Sequence, residues 1–218
     1  MATEKKKIER ITLKGVIKYH HLIKPNTKFN KDGTFSVDIL VDPATADGKA
    51  MLANLKKRAD DVFAAEVKKA PKTNKFKVHY PFSKELDKDE KETGMYVVRA
   101  KTNAKNKDGA ARLIPLFDAK NAPITTPPRL GRGSLVNVNV TPAAMSMDAT
   151  KIHGLTLYLN AVQIKELVEY AGQDASSFGF EADEGGWSSE GGSTESDAPF
   201  EDGTTPDAAA DAGADADF

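Results

Sequence analysis

The sequence predicts a β-rich α+β domain: a small strand barrel that carries one amphipathic helix and is followed by an acidic tail. Three observations predict it. Several segments alternate apolar and polar residues with the period of two expected of half-buried strands. One segment, Lys49 to Lys69, instead repeats its apolar residues at three- and four-residue spacing. Residues 171–218 contain no lysine or arginine at all.

The strands come in order. Ile11 to His20 is the first. In Thr34 to Val41, Phe35, Val37, Ile39 and Val41 share one face, and Ser36 and Asp38 take the other. The helix follows. Its apolar stripe is Met51, Leu52, Leu55, Ala59, Val62, Phe63 and Val67, with Asp42-Pro43 or Asp47 as its start and Pro71 as its stop. Met95 to Asn103 is the third strand. Leu135 to Val140 is the fourth, setting Val136, Val138 and Val140 against Asn137 and Asn139. Leu155 to Ile164 is the fifth, with Leu155, Leu157, Leu159 and Ala161 on one side. Leu113 to Phe117 is a further apolar run, but Pro115 marks it as an edge or a break. Pro25–Gly33, Lys84–Gly94, Pro123–Gly133 and Thr141–Gly154 read as loops, and Asn103–Ala110 as a hairpin turn. About five strands and one inserted helix in residues 1–170 fit a small closed barrel, for which the OB-fold is the leading candidate.

The tail is predicted from composition. Residues 171–218 are mainly Gly, Ser, Thr, Ala, Asp and Glu, with Phe178, Phe180, Trp187 and Phe200 sparse among them before the last residue, too little apolar surface to offset ordering entropy, so disorder is expected. They hold 13 of the 32 acids, so the tail carries −13. Residues 1–170 keep 31 basic against 19 acidic residues, or +12, behind an overall net charge of −1. Such a separation points to a polyanionic partner, and to a tail that competes for the same surface. The last residues, Asp215, Ala216, Asp217 and Phe218, place an aromatic ring beside a free carboxylate after acids. That is a compact ligand for an apolar pocket rimmed with cations.

Composition narrows the chemistry. With no cysteine in 218 residues, disulfides, thiolate zinc sites, iron–sulfur clusters and a cysteine nucleophile are excluded. No apolar stretch approaches a membrane span. MATEKKKIER is basic but has no apolar core behind it, so no secretory signal is expected. No Gly-x-Ser-x-Gly elbow and no phosphate-binding glycine loop occurs, and LGRGS (Leu130 to Ser134) opens no helix. His20, His21, His79 and His153 have no metal-ligand spacing. The expectation is a binding protein without cofactor, metal or catalytic site.

The positive signal is basic residues interleaved with aromatics. Lys14, Lys18 and His20 share a face of the first strand opposite Ile11, Leu13, Ile17 and Tyr19. Arg99 and Lys101 share a face with Val97, opposite Tyr96, Val98 and Ala100. Lys24, Lys28, Lys31, Lys105, Lys107, Arg112, Arg129 and Arg132 add loop cations that suit a phosphate backbone. Solvated strand faces also carry lysine by default, so stacking partners are needed as well. The aromatics available outside the helix are Tyr19, Phe29, Tyr80, Phe82, Tyr96, Phe117 and Tyr158. Phe29, in a loop between Lys28 and Lys31, is the best exposed candidate, Tyr158 is next, and Tyr80 is kept with them.

These pieces together resemble a family. YHHLIKPN (Tyr19 to Asn26), FSVDILV (Phe35 to Val41), the helix from Lys49, LGRGSLVNVNV (Leu130 to Val140), LTLYLNAVQIKELVEY (Leu155 to Tyr170) and the final DADF are similar, in order and spacing, to single-stranded-DNA-binding proteins of podovirus-type phages. Met145 and Met147 depart from the pattern, standing where a stacking aromatic is expected. The resemblance implies an OB-fold protein that coats single-stranded DNA in phage replication, recombination and repair, in the cytoplasm of an infected bacterial host. It implies recruitment of phage or host DNA polymerase and helicase-primase through Asp215, Asp217 and Phe218. Separately, a tail that complements its own groove also complements a neighbour's, so homodimers by tail exchange are a further expectation. The residues leave two other classes open: an RNA-binding OB protein, and a non-enzymatic structural or scaffold protein.

Overall fold

In the computed structural model, residues 9–70, 75–106 and 108–170 are described. The first strand, β1 (Ile11–Asn26), serves two neighbours in turn. Ile11 to Val16 pair antiparallel with β7 (Leu135–Met147), and Val16 to Asn26 pair antiparallel with β2 (Thr34–Val41). The change of partner sits beside Gly15, where a Cβ would stand 2.7 Å from the Leu40 carbonyl oxygen, so only glycine lets the two backbones approach.

The helix α1 (Ala46–Lys69) follows β2. Its N-cap is Thr45, whose hydroxyl accepts from the Gly48 amide at 3.1 Å, and not Asp42 or Asp47. Gly48 is held against the preceding turn: a Cβ there would fall 2.0 Å from the Asp42 carbonyl oxygen. Leu52, Leu55 and Ala59 bury the apolar stripe, and Phe63 reaches the buried His153 ring with centroids 6.3 Å apart.

Next come two short strands, β3 (Lys77–His79) and β4 (Phe82–Leu86), then β5 (Glu92–Asn103), the pair β6 (Leu116–Phe117), β7 and finally β8 (Ile152–Glu166). The order β8-β7-β1-β2-β5 closes on itself through a parallel pairing of β5 with β8 at Lys101 and Tyr158. The result is a closed five-stranded OB-type barrel with one helix inserted between its second and third strands. Its core holds most of the alternating residues the sequence marks: Phe35, Val37 and Ile39 from β2, Val98 and Ala100 from β5, Val136, Val138 and Val140 from β7, and Leu155, Leu157 and Leu159 from β8. Ala161, expected on the same side as these leucines, is not in the core, because a bulge at Asn160 shifts the alternation and Val162 and Ile164 turn inward instead.

Two expected loops are strands instead. Lys84–Gly94 is the β4–β5 hairpin, turning through Asp87 to Lys91, with the Asp87 carboxylate accepting from the Asp89 and Lys91 amides. Thr141–Gly154 is the end of a long β7–β8 hairpin that pairs as far as Met147 with Ile152. Pro142 fits within β7 because β1 begins opposite Val140 and β7 is paired on one side only beyond it. Among the described residues no helix is long and apolar enough to cross a membrane.

Candidate nucleic-acid interface

The outer surface of β1, β2, β5 and β8 aligns side chains in two cross-strand rows. One row is His21, Ser36, Lys101 and Tyr158, each opposite the next in register. The other is Tyr19, Asp38 and Arg99. Strand alternation puts Val37, Ile39, Val98 and Ala100 inside, and therefore these partners outside.

Tyr19 joins this face because of a β-bulge. Ile17 lies opposite Ile39 and Tyr19 opposite Asp38, so Lys18 is the extra residue and the alternation shifts by one. This corrects the predicted first strand in two ways. Tyr19 is 56% exposed and does not share the apolar face of Leu13 and Ile17. His20 turns inward instead of lining up with Lys14 and Lys18, and its Nε2 meets the Leu130 carbonyl oxygen at 2.8 Å. Lys14 lies opposite Asn137 of β7, on another side of the barrel. Lys18 pairs with the buried Glu85 at 3.1 Å.

The aromatic and imidazole groups of the face are fixed by local bonds. The Tyr19 hydroxyl lies 2.8 Å from His21 Nε2, and the rings meet edge-on with centroids 5.0 Å apart. Asn26 Nδ2 also lies within hydrogen-bond distance of that nitrogen, at 3.3 Å. Tyr158 is 48% exposed.

The cations differ in freedom. Arg99 donates from Nε and Nη2 to both carboxylate oxygens of Asp38, at 2.8 and 2.6 Å, and this fork raises its pKa further. Lys101 is exposed and, among the described residues, has no carboxylate within ion-pair distance. Burial first, and the Lys101 ammonium second, push the His79 pKa down, which favours a neutral imidazole. Glu85 is held below the usual carboxylate range chiefly by the Thr93 hydroxyl, with Lys18 and Arg132 adding to it against burial.

A groove of ≈ 330 Å³ borders the face and shares Arg99 and Lys101 with it. Tyr80, Phe82, Val97, Met145, Met147 and Ile152 give it an apolar lining. Tyr80 is held by its neighbours, with Lys56 Nζ 5.5 Å from its ring centre. Its hydroxyl donates to Asp60 at 2.8 Å and its ring packs on Phe82 at 5.6 Å.

The β1–β2 loop forms the other flank. Phe29 is 89% exposed there, with Lys28 Nζ 5.5 Å from its ring centre and Lys31 exposed nearby. Asn26 and Asn30 carboxamide oxygens accept from the Lys28 and Asp32 amides, and Gly33 closes the loop at φ 83°. In OB folds the surface of the second and third strands and the loops flanking it are where oligonucleotides lie. Here those elements are β2, β5, the β1–β2 loop and the β7–β8 tip.

The remaining predicted residues scatter. Lys24 is exposed near the end of β1. Lys105 pairs with Asp32 at 2.6 Å, which ties the β5 end to the Phe29 loop. Arg112 is engaged with Asn106 and Thr102. Arg129 and Arg132 are exposed beside the Leu130–Gly133 turn. Lys107, Asp215, Asp217 and Phe218 lie outside the described residues. Sequence reasoning missed Tyr19 and His21 as surface groups and Asp38 as the partner of Arg99. Only the alternation of β2 hinted at Asp38.

Comparisons with known proteins agree with this architecture. No family model matches the chain, and no curated protein does. Among solved structures, it is similar to gp2.5, a single-stranded DNA binding protein encoded by bacteriophage T7, with TM-score 0.61 and 20% identity over 83% of this chain and 98% of that one. It is also similar to the single-stranded DNA-binding protein from bacteriophage Enc34, with TM-score 0.50 and 18% identity over 80% and 92%. The fold is thus one that phage single-stranded DNA-binding proteins use.

Proposed function

We propose that the chain is a non-enzymatic protein that binds single-stranded DNA without sequence preference, in phage DNA replication and recombination. The observation that carries this reading is the outer face of β1, β2, β5 and β8, where exposed Tyr19 and Tyr158 flank Arg99 and Lys101 in register. Unpaired bases offer π-faces that stack on tyrosine regardless of sequence, at about 1–3 kcal/mol per base. Their phosphates take Lys101 and the loop cations Lys24, Lys28 and Lys31. The shared fold with the T7 and Enc34 proteins supports the same reading.

The acidic residues 171–218 complete the mechanism. Their −13 complements the +12 of residues 1–170, so with no DNA bound the tail screens the face. DNA displaces it by combining dense charge with stacking. Phe218 and its acidic neighbours are then free for polymerase or helicase-primase, or for the face of a second copy.

Fluorescence-quenching titration with poly-dT, with and without residues 171–218, tests both parts. The shortened protein should bind more tightly, most of all at low salt, where screening is weakest. Equal affinity of the two forms rejects the competing tail. Failure of both to bind rejects the function. Preference for RNA of equal length moves the reading to an RNA-binding protein.

A further inference from the structure

Outward residues of β8 lead from Tyr158 into a second and larger groove of ≈ 570 Å³ on the β1–β7–β8 side of the barrel. It is lined by side-chain amides: Asn137 and Asn139 from β7, Asn160 and Gln163 from β8, and Asn121 from the turn after β6. Among the described residues no carboxylate lines it, and Arg10 and Phe117 form part of its wall.

The amides are tied into fixed orientations. Asn160 is the extra residue of a β8 bulge, since Asn139 lies opposite Ala161 and Val140 opposite Leu159. The bulge aims its Nδ2 at Asn139 Oδ1 and Thr141 Oγ1, at 3.0 and 2.9 Å. Asn137 donates to Gln163 Oε1 at 2.9 Å, and Gln163 donates to Asn121 Oδ1 at 2.6 Å. Asn121 takes φ 68°, a backbone that asparagine tolerates, on a turn closed by Asp118. Among the described residues these bonds leave Asn137 Oδ1 and the amide nitrogens of Asn121 and Asn139 without a partner, and none of the three is buried. The groove therefore presents both acceptors and donors in preset positions, beside a ring and a cation.

A nucleobase matches that set. Its edge carries alternating donors and acceptors that carboxamides pair with, its face stacks on an aromatic ring, and its phosphate takes an arginine. Tyr158 and Gln163 are five residues apart on one extended strand, roughly 16 Å at strand rise, so a chain leaving the Tyr158 face along β8 reaches the amides. We propose that this groove is a second nucleotide subsite that engages the bases of a single strand already held on the β1–β2–β5–β8 face. The proposal rests on the single-stranded DNA reading above.

The test uses the full chain and oligothymidylates of about 6 and about 16 nucleotides, lengths within the span OB folds cover. Asn139→Ala with Gln163→Ala should weaken the long probe about tenfold, the loss expected for one good base contact, and leave the short probe unchanged. Ala161→Phe, which fills the groove without removing an amide, should do the same and guards against misfolding of the double variant. A long probe with abasic sugars at one end should bind the natural chain less tightly than the full long probe, because it keeps the phosphate for Arg10 but offers the amides and Phe117 no base. Long-probe affinity unchanged in both variants, or indifference to abasic ends, overturns the subsite and leaves the primary face standing. A natural chain that binds neither probe removes the parent reading as well.

Discussion

Asp38→Asn is the sharpest test of the interface. Asp38 lies on the outer face of β2 with its side chain 10% exposed, and its carboxylate grips Arg99 through two bonds at the centre of the Tyr19–Asp38–Arg99 row. The pair is close to neutral, so Arg99 adds little net charge for phosphates to meet. Asparagine keeps the size and one acceptor but frees the guanidinium charge. One further phosphate neutralised steepens the slope of log K against log salt by about 0.7 for a single strand, or roughly threefold in affinity across a fourfold change in salt. The variant should bind poly-dT more tightly than the natural chain at low salt and lose that advantage as salt rises. The measurement is a set of fluorescence-quenching titrations at several salt concentrations, with near-ultraviolet circular dichroism to verify the fold. Arg99→Gln should shift the slope the opposite way, and the double variant should return towards the natural value. An unchanged or shallower slope in folded Asp38→Asn refutes the placement of Arg99 on the ligand path.

Tyr158→Ala should weaken poly-dT binding about tenfold or more, as expected for one lost stack, while Tyr158→Phe keeps most of it; equal losses in the two reject stacking in favour of the hydroxyl. Leu157→Ala, at a position 1% exposed, should cost about 2–5 kcal/mol in urea unfolding as a cavity opens in the barrel. His79 and Glu85 both titrate below their ordinary values in the folded chain, so the unfolded chain binds more protons as pH falls. Stability is then full above the ordinary histidine range near 6.5, declines below it, and declines again below about 4.5, the ordinary glutamate value. In His79→Gln the upper step of a Tm-against-pH curve should flatten; an unchanged step assigns it elsewhere.

Much of the barrel is written in local patterns. The valines of β2 and β7 and the leucines of β8 alternate because one side of each strand is core, and a period of two is readable without a partner strand. The site is harder to read, because it depends on register. The bulge at Lys18 costs one residue and exchanges Tyr19 for His20 on the outer surface, yet nothing in YHHLIKPN marks it. The ion pairs that occupy Arg99 and Lys105 join residues 61 and 73 positions apart, so a count of basic residues overstates the free charge. The short β3 and β4 strands carry too few residues to show a period, and the far half of β7, read as a loop, is a strand only through its pairing with β8.

β5 and β8 meet in parallel at the single register pair Lys101–Tyr158, the narrowest seam in the ring, and both side chains of that pair project outward. Any polymer lying over them grips both lips of the seam at once. Occupancy and mechanical integrity are thereby coupled: a loaded barrel resists unzipping, and its melting temperature climbs with ligand concentration, as linkage requires.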